Sequence, residues 1–398
     1  MSRAIRSLRQ RLNTDGPAAV DSFWTEVERS GTPLLEPVAG DPNNTLVTFL
    51  WRGAPETKAV QVLVMGLGQG ALERLGSSSV WYATFTVRND YRLAYGLRLM
   101  ADGGQPAPLQ GDPLNRSVPV TMLGPSPWSV ADLPKAKPVP WIVKQPNVRA
   151  GSMEERQIES SVLTNEPLRK VWIYAPAGYD RGGATSYGAV IFMDGEDYRG
   201  PIGAATILDN LVAAKRIPPL VGVFIEHGSA ASAAQDLDNH GIFVDFLAKE
   251  LIPWLRQQWH VTSDPSRVIL CGASRGGLGA AFAAYRRPDL FGNVLSESGA
   301  FWRGDEGANE PHEWLTKQFQ NSPKLPIRFF FSVGTWETIQ SPTNTGRGDP
   351  TFIAANRHLW SALQSKGYVV EQHETPGGHD PLHWRSVLPD GLIFLAGK

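Results

Sequence analysis

The chain has one cysteine, no long apolar run and few charged residues, and each shortage excludes a class of protein. Cys271 is the single cysteine among 398 residues, so an intramolecular disulfide framework and a metal site of several cysteines are both excluded. The apolar stretches, such as residues 189–193, are far too short to span a bilayer. We therefore expect a soluble protein in a reducing, cytoplasmic setting, with no membrane partner.

The chain also has no large excess of charge of either sign. Charged residues make up 19% of the chain, against about 25% in an average soluble domain. Lysine and arginine together number 38 and aspartate and glutamate 39, which gives a net charge of −1. A general nucleic-acid binder needs a basic field, so no nucleic-acid partner is expected.

The N-terminus is rich in arginine but is not followed by an apolar core segment, which argues against a secretory signal. Ile5, Leu8 and Leu12 have helical spacing. We predict a short amphipathic helix on the domain surface, and the alternative is an organelle transit peptide.

The first third of the chain has the texture of a β-sandwich. Short runs rich in β-branched and aromatic residues are separated by turn signals, with no long helical pattern between them. The predicted strands are residues 45–51, 60–65, 80–87 and 93–100. We assign residues 1–123 to this all-β domain. Six prolines between residues 124 and 152 disfavour helix there and predict an extended connector.

Residues 153–398 alternate strand and helix patterns, which favours a mostly parallel sheet with helices on both faces. A helix is predicted over residues 242–259, with Pro253 as a possible kink. In such sheets the chemistry lies at the carboxyl ends of the strands. The predicted strands are residues 170–174, 187–193, 220–225, 267–271, 294–296, 327–333 and 368–373.

A Gly-x-Ser-x-Gly motif carries the candidate chemistry. Residues 272–276 follow a predicted strand and open a predicted helix, and they place Ser274 between Gly272 and Gly276. A nucleophilic serine at such a sharp turn needs glycines two residues before and after it to avoid clashes. The sequence therefore predicts Ser274 as a catalytic nucleophile.

A serine hydroxyl is a weak nucleophile until a positioned base takes its proton. In this arrangement the base follows the last strand and the orienting acid follows the strand before it. His379 and Glu337 occupy those positions. His383 is the competing base and Asp349 the alternative acid.

An oxyanion hole needs two backbone donors. One is expected after the nucleophile, at the Arg275 N–H. The other is expected after the strand 187–193, where Gly195 provides a turn and Glu196 an N–H.

With these residues in place, the chain resembles the enterochelin (ferric enterobactin) esterase family over nearly its whole length. In the first half the similar segments are residues 23–24, 31–34, 47–52 and 112–115. In the second half they are residues 193–196, 272–277, 295–299, 377–380 and 384–385. The resemblance implies an α/β-hydrolase domain preceded by an immunoglobulin-like sandwich.

The resemblance also implies a cytosolic serine esterase that opens the ester bonds of a catecholate siderophore. It places the nucleophile at Ser274 and the base at His379, and it supports Glu337 as the acid. Iron enters as part of the substrate and no cofactor or resident metal is implied. In the wider superfamily, which includes mycolyltransferases and esterase D, the residue matching Asp194 contacts substrate.

A ferric tris-catecholate is anionic and aromatic, so its pocket is expected to combine cations with flat side chains. Besides Asp194, we assign substrate contacts to Tyr198, Arg199, Glu297, Trp302, Arg303, Trp336 and Trp384. The chain departs from the family at Arg275, where an aromatic residue is common, and residues 234–237 lack an expected arginine.

The alternatives to a siderophore esterase are an esterase acting on acylated sugars or on aryl or feruloyl-type esters, and an inactive ligand-binding homologue. Oligomeric state is left open.

Overall fold

The computed structural model describes residues 2–100, 105–122, 126–163, 166–228, 230–237, 241–305, 310–338 and 351–397. The chain divides into two compact units, Met1–Pro138 and Val139–Lys398. Asp349 lies outside the described residues.

The first unit consists of two antiparallel sheets packed face to face, and a pair of helices covers one of them. The helices are α1 (Arg3–Asp15) and α2 (Ala18–Ser30). The strands are β1 (Leu34–Val38), β2 (Asp41–Arg52), β3 (Val60–Val64), β4 (Gly68–Ala71), β5 (Glu73–Arg74), β6 (Val80–Arg88), β7 (Arg92–Leu99), β8 (Val120–Thr121) and β9 (Pro127–Asp132). One sheet has the order β1-β2-β6-β5 and the other β4-β3-β7-β9-β8. Strand β9 falls within the stretch that we assigned to the connector, and it pairs with β7.

Aromatic rings join the two sheets. Phe49 on β2 is fully buried, and its ring centroid lies 4.7 Å from that of Tyr95 on β7 and 5.8 Å from that of Phe85 on β6. Alternating apolar residues on facing strands produce such a core because successive side chains point to opposite faces of a sheet.

The predicted amphipathic helix at the N-terminus is confirmed as α1. Ile5 and Leu8 are buried, and the Ser2 hydroxyl caps the helix by accepting a hydrogen bond from the Ile5 N–H. Helix α2, which the sequence analysis missed, adds Phe23 and Trp24 to the same apolar cluster. Both helices therefore cover the sheet that contains β2 and β6.

The second unit is built on an eight-stranded sheet. After a 3₁₀ turn (Pro140–Ile142), its strands are β10 (Ser152–Glu159), β11 (Leu168–Ala175), β12 (Gly188–Phe192), β13 (Leu220–Ile225), β14 (Val268–Ala273), β15 (Asn293–Glu297), β18 (Arg328–Gly334) and β19 (Val369–Thr375). A separate hairpin is formed by β16 (Arg303–Asp305) and β17 (Glu310–His312). The order in the large sheet is β10-β11-β13-β12-β14-β15-β18-β19. Strands β10, β11 and β13 pair antiparallel, and the pairs from β13 to β19 are parallel.

Helices cover both faces of this sheet, as the alternating pattern predicts. They are α3 (Gly195–Arg199), α4 (Ala204–Ala213), α5 (Ala230–Leu237), α6 (Gly241–Phe246), α7 (Ile252–Trp259), α8 (Arg275–Arg286), α9 (Trp314–Asn321), α10 (Phe352–Ser365) and α11 (Pro381–Ala396), with a short 3₁₀ turn at Pro265–Arg267. Residues of α3, α4 and α11 share one apolar cluster and residues of α5 to α10 another. The predicted fold class, a mostly parallel sheet between two helical layers, is confirmed.

The helix predicted over residues 242–259 is interrupted by a π-helical turn, which is wider than an α-helical turn. Leu247–Leu251 forms a π-helical turn between α6 and α7, and Pro253 lies in the first turn of α7. Proline has no N–H and its ring crowds the carbonyl four residues earlier, so an α-helix cannot continue regularly through it. The π turn accommodates the proline where we expected a kink.

None of the helices in the described ranges combines the length and the apolar character that a bilayer-spanning helix requires.

The inter-sheet ring cluster gives a prediction for stability. Phe49→Ala removes a fully buried ring, so we expect the free energy of unfolding to fall by about 3–5 kcal/mol, measured by urea denaturation. The control is Val118→Ala at a position that is 82% exposed, where a change within about 0.5 kcal/mol is expected. Equal effects of the two substitutions would contradict the proposed core.

Candidate active site

Ser274 lies at a sharp turn between β14 and α8. Its backbone has φ 54° and ψ −117°, a region that residues other than glycine rarely adopt. A Cβ on Gly272 would lie 2.3 Å from the backbone of Gly276, so the turn requires glycine there. This is the strand–turn–helix context that the Gly-x-Ser-x-Gly motif predicts.

Main-chain hydrogen bonds hold this turn against the next strand end. The Ser274 N–H donates to the Glu297 carbonyl, and the Ala300 N–H donates to the Ser274 carbonyl, each over 2.9 Å. Ser274 is itself only partly buried. Its side chain begins at the N-terminus of α8, where the helix dipole favours negative charge.

Two loops further along the same sheet edge bring Glu337 to His379. Strand β18 ends at Gly334 and β19 at Thr375, and the Trp336 N–H donates to the Gly377 carbonyl across the two loops over 3.0 Å. His379 Nδ1 lies 2.7 Å from Glu337 Oε2. His379 remains partly exposed, whereas Glu337 is 5% exposed.

The second oxygen of Glu337 is also fully engaged. Oε1 accepts hydrogen bonds from the Gly334 N–H at 2.8 Å and from the Ser298 hydroxyl at 2.6 Å. Burial by itself would raise the pKa of Glu337, but the hydrogen bond and charge of His379, with help from Ser298, hold that pKa below its usual value. The carboxylate is therefore ionised and able to steady an imidazolium.

Aromatic rings surround the imidazole. The centroid of the Phe352 ring lies 4.4 Å from that of His379, and the Trp384 ring meets it edge-on at 5.3 Å. Trp302 in turn contacts Phe352 at 6.1 Å. Sequence reasoning missed Phe352, because it stands at the start of α10 and nothing in its local pattern places it beside a residue 27 positions further on.

His383, the competing base, is packed away. It is 4% exposed, and neither of its ring nitrogens has a hydrogen-bond partner among the described residues. Its ring lies directly against Gly377, where a Cβ would approach Nδ1 to 2.1 Å. Burial lowers the pKa of His383, so the imidazole is held neutral. The geometry favours His379 as the base.

The loop after β12 lies beside the nucleophile turn. Asp194 Oδ2 accepts a hydrogen bond from the Ala273 N–H at 2.8 Å, and a Cβ on Gly276 would meet the same oxygen at 1.9 Å. Burial raises the pKa of Asp194 to about 7. Asp194 thus ties this loop to the end of β14, a contact within the protein that its assignment as a substrate ligand did not foresee.

The two expected oxyanion donors belong to neighbouring strand ends. Strands β12 and β14 pair in parallel, with Glu196 in the first turn of α3 and Arg275 in the first turn of α8. N–H groups in a first turn have no acceptor within their own helix. A Cβ on Gly195 would lie 2.5 Å from the Ile225 carbonyl, so glycine is required for this loop to pack on β13. Donation by Glu196 and Arg275 to an oxyanion stays a prediction.

Three assignments of substrate contact are wrong. Tyr198 and Glu297 are both 0% exposed, and the Tyr198 hydroxyl donates to Glu297 Oε2 over 2.6 Å. Trp384 is 6% exposed and its indole N–H donates to Ser298 Oγ over 3.0 Å. A substrate does not reach side chains that are buried and hydrogen-bonded within the protein, so these residues support the site from beneath.

The remaining assignments lie at accessible positions. Arg199 is ion-paired with Glu226 at 2.7 Å and stacks on Trp172 at 4.4 Å, so its charge is partly compensated. Trp302, Arg303 and Trp336 are half-buried, and the Arg303 guanidinium lies 5.4 Å from the Trp302 ring centroid. Their contact with a substrate stays a prediction.

Comparison with known families identifies the chain. Residues 161–395 match the family model Esterase, and residues 46–142 match the model described as enterochelin esterase, N-terminal. The chain belongs to the Esterase family. It is a carboxylic ester hydrolase, and the resemblance to enterochelin esterases is confirmed.

Relatives of this esterase match nearly end to end. The iron(III) salmochelin esterase of Escherichia coli is 27% identical over 99% of the chain and 98% of the relative. The iron(III) enterobactin esterase of Dickeya dadantii is 27% identical over 95% and 93%. The structure of ferric enterobactin esterase from Salmonella typhimurium has a TM-score of 0.79, with 22% identity over 94% of this chain and 98% of that one. The esterase thus has the fold of that enzyme.

The contact between the two loops of this esterase can be tested at Gly276. In Gly276→Ala the new Cβ must displace Asp194, which disturbs the nucleophile turn and a predicted oxyanion donor together. We expect kcat on an aryl acetate to fall on the order of a hundredfold.

The matched control is Gly279→Ala in the same helix. Its Cβ would meet a movable atom, Leu237 Cδ2, at 3.2 Å, so activity close to that of the wild type is expected. If both variants keep full activity, the close packing of Asp194 on Gly276 does not contribute to catalysis.

The buried Tyr198–Glu297 pair predicts a pH dependence of stability. Burial, reinforced by the Asp194 carboxylate, raises the pKa of Glu297 well above its usual value. In the unfolded chain the carboxyl ionises at its ordinary pKa, so stability is lost as the pH rises above that value. Glu297→Gln removes this loss. The free energy of unfolding of the variant minus that of the wild type should therefore be larger at about pH 8 than at about pH 5.

Urea denaturation at the two pH values measures this difference. A variant whose relative stability is the same at both would show that Glu297 titrates normally in the folded protein.

Proposed function

We propose that this esterase hydrolyses the ester bonds of a ferric catecholate siderophore through an acyl-enzyme intermediate, with Ser274 as nucleophile, His379 as base and Glu337 as acid. The observation that carries the proposal is the His379–Glu337 pair, joined at 2.7 Å on the sheet edge where the strained Ser274 turn is also found. Support for the substrate class comes from relatives named as iron(III) salmochelin and enterobactin esterases, which match along almost the whole chain.

In the first half-reaction, Ser274 Oγ attacks the ester carbonyl carbon while His379 Nε2 accepts the hydroxyl proton. Glu337 holds the Nδ1–H of the imidazole, which fixes the tautomer and stabilises the imidazolium. Negative charge develops on the former carbonyl oxygen, where the N–H groups of Arg275 and Glu196 are proposed to donate.

The tetrahedral intermediate collapses when the carbon–oxygen bond to the leaving alcohol breaks and His379 returns the proton to that alcohol. Water then attacks the acyl-serine, with His379 again taking a proton. The bond between the acyl carbon and Ser274 Oγ then breaks, His379 returns the proton to that oxygen, and the acid product leaves. Every proton is moved by His379, so the reaction as proposed needs no cofactor, and the iron enters as part of the substrate.

The rim of the site suits an anionic aromatic ligand. Trp302 and Phe352 offer rings that lead to His379, and Arg303 places a guanidinium beside Trp302. Catecholate rings stack on such rings, and a guanidinium is attracted to the negative charge of the complex. A cytoplasmic location is also proposed, consistent with a chain that carries a single, buried cysteine.

The decisive measurement is mass spectrometry of the products after incubation with iron-loaded and iron-free enterobactin. We expect linear trimer, dimer and monomer of dihydroxybenzoyl-serine from the wild type. Ser274→Ala should give none, since loss of the nucleophile costs on the order of a millionfold in kcat. An aryl acetate assay is run on both proteins in parallel.

Each other outcome corrects a different part of the proposal. Aryl-ester activity without enterobactin cleavage would exclude the siderophore and move the substrate to acylated sugars or feruloyl-type esters. Hydrolysis by Ser274→Ala at the wild-type rate would refute the nucleophile. Absence of all hydrolysis by the wild type would indicate an inactive ligand-binding homologue.

A further inference from the structure

Ser298 and Trp384 form a hydrogen-bonded chain that ends on the catalytic acid. The Trp384 indole N–H donates to Ser298 Oγ over 3.0 Å, and Ser298 Oγ lies 2.6 Å from Glu337 Oε1. The other oxygen of Glu337 is the one that binds His379. Ser298 is 0% exposed, so water does not compete for these bonds.

The direction of the chain is fixed by chemistry. An indole N–H can only donate, and an ionised carboxylate can only accept. The Ser298 oxygen must therefore accept from Trp384, and its one hydrogen must point to Glu337. Trp384 sets the rotamer of the hydroxyl, and the hydroxyl sets the orientation of the carboxylate.

The backbone of Ser298 is held in an unusual conformation. Its φ of 50° lies in the left-handed region, which non-glycine residues enter only when their surroundings impose it. The Ser298 N–H is anchored to the Ser332 carbonyl at 2.7 Å. The structure thus keeps a strained serine at the point where its hydroxyl reaches Glu337.

Trp384 contacts His379 directly and reaches Glu337 through Ser298. Its N–H acts on Glu337 through Ser298, and its ring edge packs on the imidazole of His379, with the two ring planes 85° apart. A single buried side chain therefore constrains the imidazole from one side and the carboxylate from the other.

We propose that Ser298 and Trp384 are positioning residues for the reaction, acting in series to orient Glu337 and through it His379. The inference rests on the proposed function, because it needs Glu337 and His379 to be the catalytic pair. It makes Trp384 part of the support for catalysis, and no part of the surface that meets the substrate.

The test is a double-mutant cycle on aryl acetate hydrolysis, with Ser298→Ala, Trp384→Phe and the double variant. Ser298→Ala removes a buried hydrogen bond to a charged group, so we expect kcat to fall roughly ten- to a hundredfold. KM should stay within about twofold, because no substrate contact is lost. Trp384→Phe keeps a ring beside His379 and should cost less. The double variant should match Ser298→Ala, because the Trp384 N–H acts only through the serine.

A pH profile supplies a readout that general loosening of the structure would not reproduce. Without the Ser298 donor, the carboxylate–imidazole pair carries more uncompensated negative charge and binds a proton more readily. The acidic limb of kcat/KM should move to higher pH in Ser298→Ala. The other titratable groups that act on this pair within the described residues, Asp380 and His383 of α11, are the same in every variant.

Matched controls are Thr316→Val and Trp81→Phe, two buried side chains whose Oγ1 and Nε1 atoms have no hydrogen-bond partner in the described part of the chain. Both should keep the kcat and the pH profile of the wild type. Thermal unfolding of each variant separates a folding defect from a catalytic one, and Trp384→Phe still tests the proposal if Ser298→Ala does not fold.

A double variant whose loss equals the product of the two single losses would overturn the serial arrangement. So would a Trp384→Phe variant with unchanged kcat and unchanged pH profile. Ser274→Ala is measured beside them: if it is inactive while Ser298→Ala is fully active, this inference alone fails. If Ser274→Ala is itself active, the proposed function fails first.

Discussion

The site depends on keeping one buried carboxylate ionised. A carboxylate removed from water is stable as an anion only when donors replace the water it has lost. Glu337 obtains them from the Gly334 backbone, the Ser298 hydroxyl and the imidazole of His379. These donors come from three different strand ends, so the ends of β15, β18 and β19 must meet in one arrangement. The order of the parallel strands supplies that arrangement.

The pattern of the sequence was sufficient to predict the sheet and the residues at its carboxyl edge. Parallel strands buried on both faces are short, largely apolar runs, and β12 to β15 and β18 stand out for that reason. Glycines at fixed positions around Ser274 mark the turn because sterics leave no other residue possible there. The order of nucleophile, acid and base along the chain then restricts the histidine and the glutamate to two loops.

What the sequence could not predict depends on contacts between distant residues. Strand β10 carries charged residues because it is an edge strand, and its pattern is therefore weak. Phe352 reaches His379 only through the packing of α10. Tyr198, Glu297 and Trp384 lie at or after the carboxyl ends of strands of the sheet, yet the first two are fully buried and the third packs against His379. A position at a strand end indicates a region, and burial decides whether a side chain meets substrate or supports those that do.

The bond between Asp194 and the Ala273 N–H has a consequence for how specificity can change. It joins the loop carrying one proposed donor, Glu196, to the end of β14, the strand that leads into the helix carrying the other, Arg275. No part of the substrate's binding free energy is then needed to bring the two donors of the proposed oxyanion hole together. Substitutions at the rim of the site therefore have little effect on the chemical step. Trp302 and Arg303, the proposed rim contacts, take no part in that bond, so exchanging them leaves it in place. The range of ester substrates can therefore change through rim residues alone, while the two proposed donors keep their spacing.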